Sequence, residues 1–131
     1  MESAIHISLC SQLKSDINRI AKKFTIKKIC GSTAAAPTMP PPPEMCGFIP
    51  DFYAYTNSSC FALVGEAKTR HDILNKHTDA QVRAYIDYIQ PFQMRAVLFR
   101  VENSDFFLLK RYLKNHINAF DGSFYINGKK I

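Results

Sequence analysis

The chain has 131 residues, 47% hydrophobic and 21% charged, which sets the length of one domain and excludes a disordered or fibrous composition. A formal net charge of +6 and a pI near 9.2 point to a polyanionic partner, of which nucleic acid is the commonest. No stretch approaches the roughly 18 apolar residues of a membrane span, and Lys14, Asp16 and Arg19 interrupt any leader-like start. The expectation is therefore a cytoplasmic protein without a membrane partner.

Leu9, Leu13, Ile17, Ile20 and Phe24 recur at intervals of four and three, and predict a helix over about residues 4–23. Residues 25–30 (TIKKIC) read as a strand. Residues 31–47 have no periodicity and include four consecutive prolines at 40–43, which cannot donate ladder hydrogen bonds. This stretch reads as an exposed, mobile loop at about 32–47 within one domain spanning 1–131, because the residues before it are too few to fold alone. Residues 48–55 and 60–67 read as two strands joined by the polar turn 56–59.

Helical spacing returns over 79–89. Val82, Ile86 and Ile89 form its apolar stripe, and Gln81, Tyr85 and Tyr88 form a second stripe about 100° around the axis, taken as the face away from the core. Pro91 ends this helix. Residues 94–101 are the most continuous apolar strand, of the kind buried on both faces. A further helix is expected over 104–117 and a short strand over 124–126. The class is α/β: a mixed central sheet flanked by helices, in the order α-β-β-β-α-β with an extra C-terminal helix and short strand. Cys10, Cys30, Cys46 and Cys60 show no C-x-x-C pair and no zinc-ligand spacing, so idle thiols and no structural zinc site are expected.

The chemistry concentrates in Pro50-Asp51 and, after fourteen intervening residues, Glu66-Ala67-Lys68. Residues two apart in a strand share a face, so Glu66 and Lys68 point together while Ala67 points into the core, and the hairpin returns Asp51, expected inside its first strand, beside them. A Glu and a Lys two apart are by themselves an ordinary ion pair of little worth. With Asp51 added, two carboxylates and the Ala67 backbone carbonyl make a hard oxygen donor set, suited to Mg2+ or Mn2+. Such an ion beside an amine suits phosphodiester hydrolysis. Gly65 permits close backbone approach next to the site.

These motifs, with the element order from about residue 5 to 101, resemble the PD-(D/E)XK nuclease superfamily, including Holliday-junction-resolvase-like and RecB-like domains. The resemblance implies a restriction-endonuclease-like core, Asp51 and Glu66 as metal ligands and Lys68 as the catalytic lysine. Gln81-Val82-Arg83-Ala84-Tyr85 further resembles the Gln-x-x-x-Tyr motif of the RecB-like branch, which implies site roles for Gln81 and Tyr85. Many members carry an acid on the first helix; here Gln12 and Asp16 are the candidates for that place, and Glu2 lies too early. Arg70 after the motif, Arg83, and Lys27 and Lys28 on the first strand are candidate phosphate contacts, as are Lys110, Arg111 and Lys114 on the last helix.

The function expected is a Mg2+- or Mn2+-dependent nuclease, most simply a DNA endonuclease, with RNA as the other possible substrate. One site per chain cuts one strand, so a homodimer is expected for a double-strand cut. The competing expectation is a nuclease-fold binding or assembly module that no longer cuts.

Overall fold

A computed structural model describes residues 3–75 and 77–131. Helix α1 spans Ala4–Lys23, and the Ser3 hydroxyl accepts the His6 amide as its N-cap, a preferred way to satisfy the first orphan donors. Of the predicted stripe, Leu9, Leu13, Ile17 and Ile20 are buried, while Phe24 is the C-cap and half-buried. Thr25, in the left-handed region at φ 60°, turns the chain out of the helix, and the Ile26 amide bonds back to the Ala21 carbonyl.

Six strands follow in one sheet whose spatial order is the chain order: β1 (Lys28–Gly31), β2 (Phe52–Tyr55), β3 (Phe61–Ala67), β4 (Met94–Arg100), β5 (Ser123–Ile126) and β6 (Lys129–Lys130). β1, β2 and β3 pair antiparallel; β3, β4 and β5 pair parallel; β6 returns antiparallel to β5. Parallel neighbours need crossover connections. Between β3 and β4 these are the short α2 (Arg70–Ile73) and α3 (His77–Ile89); between β4 and β5 they are a 3₁₀ turn (Asn103–Asp105), α4 (Phe106–Tyr112) and α5 (Lys114–Ala119). The fold is thus α/β with a mixed open sheet. No helix among the described residues is long and apolar enough to cross a membrane.

Both faces of the sheet are covered, which is why β3 is buried at every position. Side chains of even and odd positions go to different layers. Phe61, Leu63 and Ala67 pack with Leu98 against α1, whereas Ala62 and Val64 pack with Val97 and Phe99 against Val82 and Tyr85 of α3 and Leu109 of α4. Gly65 sits where α1 comes closest: a Cβ there would lie 2.6 Å from Ile17 Cδ1.

Several sequence expectations are corrected, beginning with the first strand, which spans 28–31 rather than 25–30. The first hairpin strand is four residues long, 52–55 rather than 48–55, because residues 45–48 close a separate turn. Cys46 and Gly47 both have positive φ there, and Met45 and Phe48 exchange backbone hydrogen bonds. The proline-containing stretch is not merely exposed. Met45 is fully buried, Ala36 and Pro42 are buried, and the Gly31 amide donates to the Pro40 carbonyl, so the chain is seated on the edge strand β1. The expected helix over 104–117 is broken into α4 and α5 at Leu113. Finally, Tyr85 is fully buried: the core stripe of α3 is Thr78, Val82, Tyr85 and Ile89, with Ile86 half-buried.

Candidate active site

The parallel strands β3 and β4 end together, Ala67 opposite Arg100, and the Lys68 amide adds one more ladder bond to the Arg100 carbonyl. At this carboxyl end, where ligands commonly bind in open α/β sheets, the sequence trio assembles. Asp51 is not inside β2 but on the bend just before it. The extended ladder nevertheless fixes its place, since the Asp51 carbonyl accepts the Ser32 amide at 2.9 Å.

Asp51 and the end of β3 are latched to each other in both directions. The Ala67 amide donates to Asp51 Oδ2 at 2.9 Å, and the Asp51 amide donates to Glu66 Oε1 at 3.3 Å. Two further donors from α3 hold the Glu66 carboxyl: Tyr85 Oη to Oε1 at 2.9 Å and Gln81 Nε2 to Oε2 at 3.4 Å. Asp51, Glu66 and Lys68 are only 8%, 8% and 6% exposed, a concentration of ionisable groups that a plain solvated ion pair does not have.

Burial and the neighbouring Asp51 carboxylate push Glu66 up to about 8, against the smaller opposing pull of the Lys68 ammonium and the bonds from Tyr85 and the Asp51 amide. Burial, followed by the charge and hydrogen bond of Glu66, raises Tyr85 far above the ordinary phenol range, so it stays a neutral donor. Two buried carboxyls that resist being charged together form a place where a cation is favourable. The donors are hard oxygens, and the fit to Mg2+ or Mn2+ is chemically sound.

A residue that the sequence reading passed over joins them from α1. His6 Nε2 lies 3.5 Å from Asp51 Oδ2, and Cys10 Sγ, one turn on, lies 3.8 Å from His6 Nδ1 and 3.9 Å from Nε2. The usable signal was the spacing of four, which puts both side chains on one helix face; the contact with Asp51, 45 positions away, had no local signature.

Gln12 and Asp16, the helix-one candidates, are engaged elsewhere. Gln12 Oε1 accepts Arg100 Nε at 2.9 Å, and Asp16 Oδ2 lies 3.5 Å from Arg100 Nη1, with Oδ1 3.6 Å from Arg19. Glu2 lies outside the described residues. Arg70 bonds the buried Asp105 at 3.5 Å, which holds the chain just past Lys68 to the 3₁₀ turn. Arg83 is exposed and pairs with Asp79 at 2.8 Å on its own helix. Lys27 and Lys28 are distant from the trio: Lys28 pairs with Tyr55, the far end of β2, and its ammonium sits over the Tyr55 ring. Lys110, Arg111 and Lys114 line one surface hollow with the exposed Phe107.

No family model, curated protein or solved structure matches this chain.

Proposed function

We propose that this chain is a metal-dependent nuclease of the PD-(D/E)XK type, with a restriction-endonuclease-like core, and that it hydrolyses phosphodiester bonds in DNA. The observation that carries the reading is the convergence of Asp51, Glu66 and Lys68, all buried, at the carboxyl end of two parallel strands, with Gln81 and Tyr85 bonded to Glu66. The order of the elements through β4 supports it.

Asp51, Glu66 and the Ala67 carbonyl would hold one Mg2+ or Mn2+. When bound, the ion supplies charge neutralisation for the scissile phosphate and acidity for a coordinated water. The chain's own residues do the rest. Tyr85 and Gln81 fix the rotamer of Glu66, so its carboxyl needs little reorganisation on binding. Lys68 places a compact positive charge on the face of Glu66, where its Nζ protons can bind a non-bridging phosphate oxygen and the attacking water. In the reaction a water oxygen bonds to phosphorus, the bond from phosphorus to the leaving ester oxygen breaks, and the leaving oxygen takes up a proton. Surrounding apolar groups of α3 and β4 keep bulk water away and strengthen these interactions.

A panel of labelled single-stranded, duplex, flapped and junction DNA, with matched RNA, tests the reading in Mg2+ and in Mn2+. Cleavage of DNA that chelator abolishes is the expected result. Metal-independent binding with no cleavage on any substrate would favour a binding or assembly module instead.

A further inference from the structure

We propose that His6, Cys10 and Asp51 form a second metal site, for a thiophilic ion such as Zn2+, and that filling it withdraws Asp51 from the hard-cation site. The cluster is already assembled: one ligand atom from each residue lies within 4.8 Å of the others. Tetrahedral bonds of ordinary zinc lengths hold a nitrogen and a sulfur about 3.6 Å apart, and a nitrogen and an oxygen about 3.4 Å apart. The observed separations from His6 Nε2 are 3.9 Å to Cys10 Sγ and 3.5 Å to Asp51 Oδ2. Cys10 Sγ lies as close to His6 Nδ1, at 3.8 Å, as to Nε2, so a turn of the imidazole separates this arrangement from a coordination shell.

Rigidity comes from both sides. His6 and Cys10 are one turn apart in the first turns of α1, whose start the Ser3 cap fixes, and Leu9 and Leu13 seat that helix on the sheet. Asp51 is held by the Ala67 amide on the same Oδ2 that faces His6. The set of one thiol, one imidazole and one carboxylate discriminates between ions: sulfur is a poor ligand for Mg2+ and a good one for Zn2+ and Co2+. Asp51 is thus shared between a hard side, toward Glu66, and a soft side, toward Cys10. The soft ion would take Oδ2, the oxygen that the Ala67 amide now holds, and repulsion between two dications on one carboxylate opposes filling both sides at once.

The inhibitory consequence rests on the nuclease reading; the site itself does not. Co2+ added to the metal-free protein is the direct probe, because thiolate ligation gives an intense near-ultraviolet charge-transfer band and tetrahedral coordination gives strong visible bands. The wild type, Cys46→Ser, Cys60→Ser and Glu66→Gln are expected to develop these bands at one equivalent and to lose them when Zn2+ is added. Cys10→Ser and His6→Ala are expected to lose the band and to bind Zn2+ at least roughly tenfold more weakly. His6→Ala decides the matter if Cys10→Ser does not fold. Within each variant, the ratio of cleavage with trace Zn2+ to cleavage without it is expected to be low for wild type and to return toward one for Cys10→Ser. A wild type without the bands, or a Cys10→Ser protein that keeps them, overturns the site. Bands present with cleavage absent would uphold the site and overturn the nuclease reading alone.

Discussion

Glu66 is a carboxyl with three protein donors and yet an elevated proton affinity, because burial and the Asp51 charge outweigh the donors and Lys68. In the metal-free fold it keeps its proton up to about pH 8, whereas the unfolded chain releases it near 4.5. The folded state therefore binds the extra proton between those values, and this contribution to stability is lost as pH rises from about 4.5 to 8. Denaturant unfolding in chelator should show stability falling across that window, and Glu66→Gln should flatten the fall. An unchanged pH slope in Glu66→Gln would contradict the assignment. Tyr85→Phe removes a donor that favours the charged carboxyl. It should move the acid limb of the cleavage profile to higher pH, weaken Mn2+ binding by about 10- to 100-fold and cost about 1–3 kcal/mol of stability; calorimetric titration and unfolding check each part.

At this scale the sequence was most informative where parity alone decides the outcome. Glu66 and Lys68 share a face because they are two apart, and Gln81 and Tyr85 approach together because they are four apart. Tyr85 was set on the wrong side because a helix pattern yields angles between stripes, not which stripe meets the sheet; a neutral phenol with an acceptor at Glu66 can be buried as readily as an isoleucine. The contact of His6 with Asp51 was invisible because the partner comes from a distant loop.

Among the elements, β3 is the organiser. Its Gly65 admits α1, its end carries Glu66, and Lys68 follows directly after it. Gly65→Val should force Ile17 and Leu13 away and lower stability by roughly 1–3 kcal/mol, with a matching loss of Asp51–Ala67 alignment visible as weaker metal binding. Unaltered thermal unfolding and metal binding would show that the close approach is not required. Helix α1 and strand β4 were legible from periodicity and continuity. The break in the last helix at Leu113 was not, since short pieces bury too little to leave a pattern, and β6 left only its turn as a signal. The Asn127-Gly128 turn, with φ 53° and 79°, is the local cause of β6, and its sequence signature was present.

Among the described residues, the cations do not share one place: Lys28 pairs with Tyr55 at one end of β2, and Arg70 lies beside the site. Lys28 lies three residues along β1 from Gly31, the partner of Phe52 beside Asp51, or about 10 Å away at strand rise. Arg70 instead follows Lys68 by two positions and is fixed to Asp105. Substrate binding should therefore weaken steeply with salt, and Arg70→Ala should flatten the log–log slope by roughly 0.9, the share of one phosphate contact. Lys28→Ala should leave that slope nearly unchanged; fluorescence anisotropy with uncut DNA in chelator reads both, and the reverse ranking would place the nucleic acid on the β1 side. The sequence placed all these cations in one inventory because net charge has no geometry.

The most direct measurement is single-turnover cleavage of labelled DNA in Mn2+ by the wild type and by Lys68→Ala, with thermal unfolding to confirm that both are folded. Loss of a positioned catalytic charge should slow cleavage by about 100-fold or more. Equal rates from the two folded proteins would contradict a catalytic centre built on Asp51, Glu66 and Lys68.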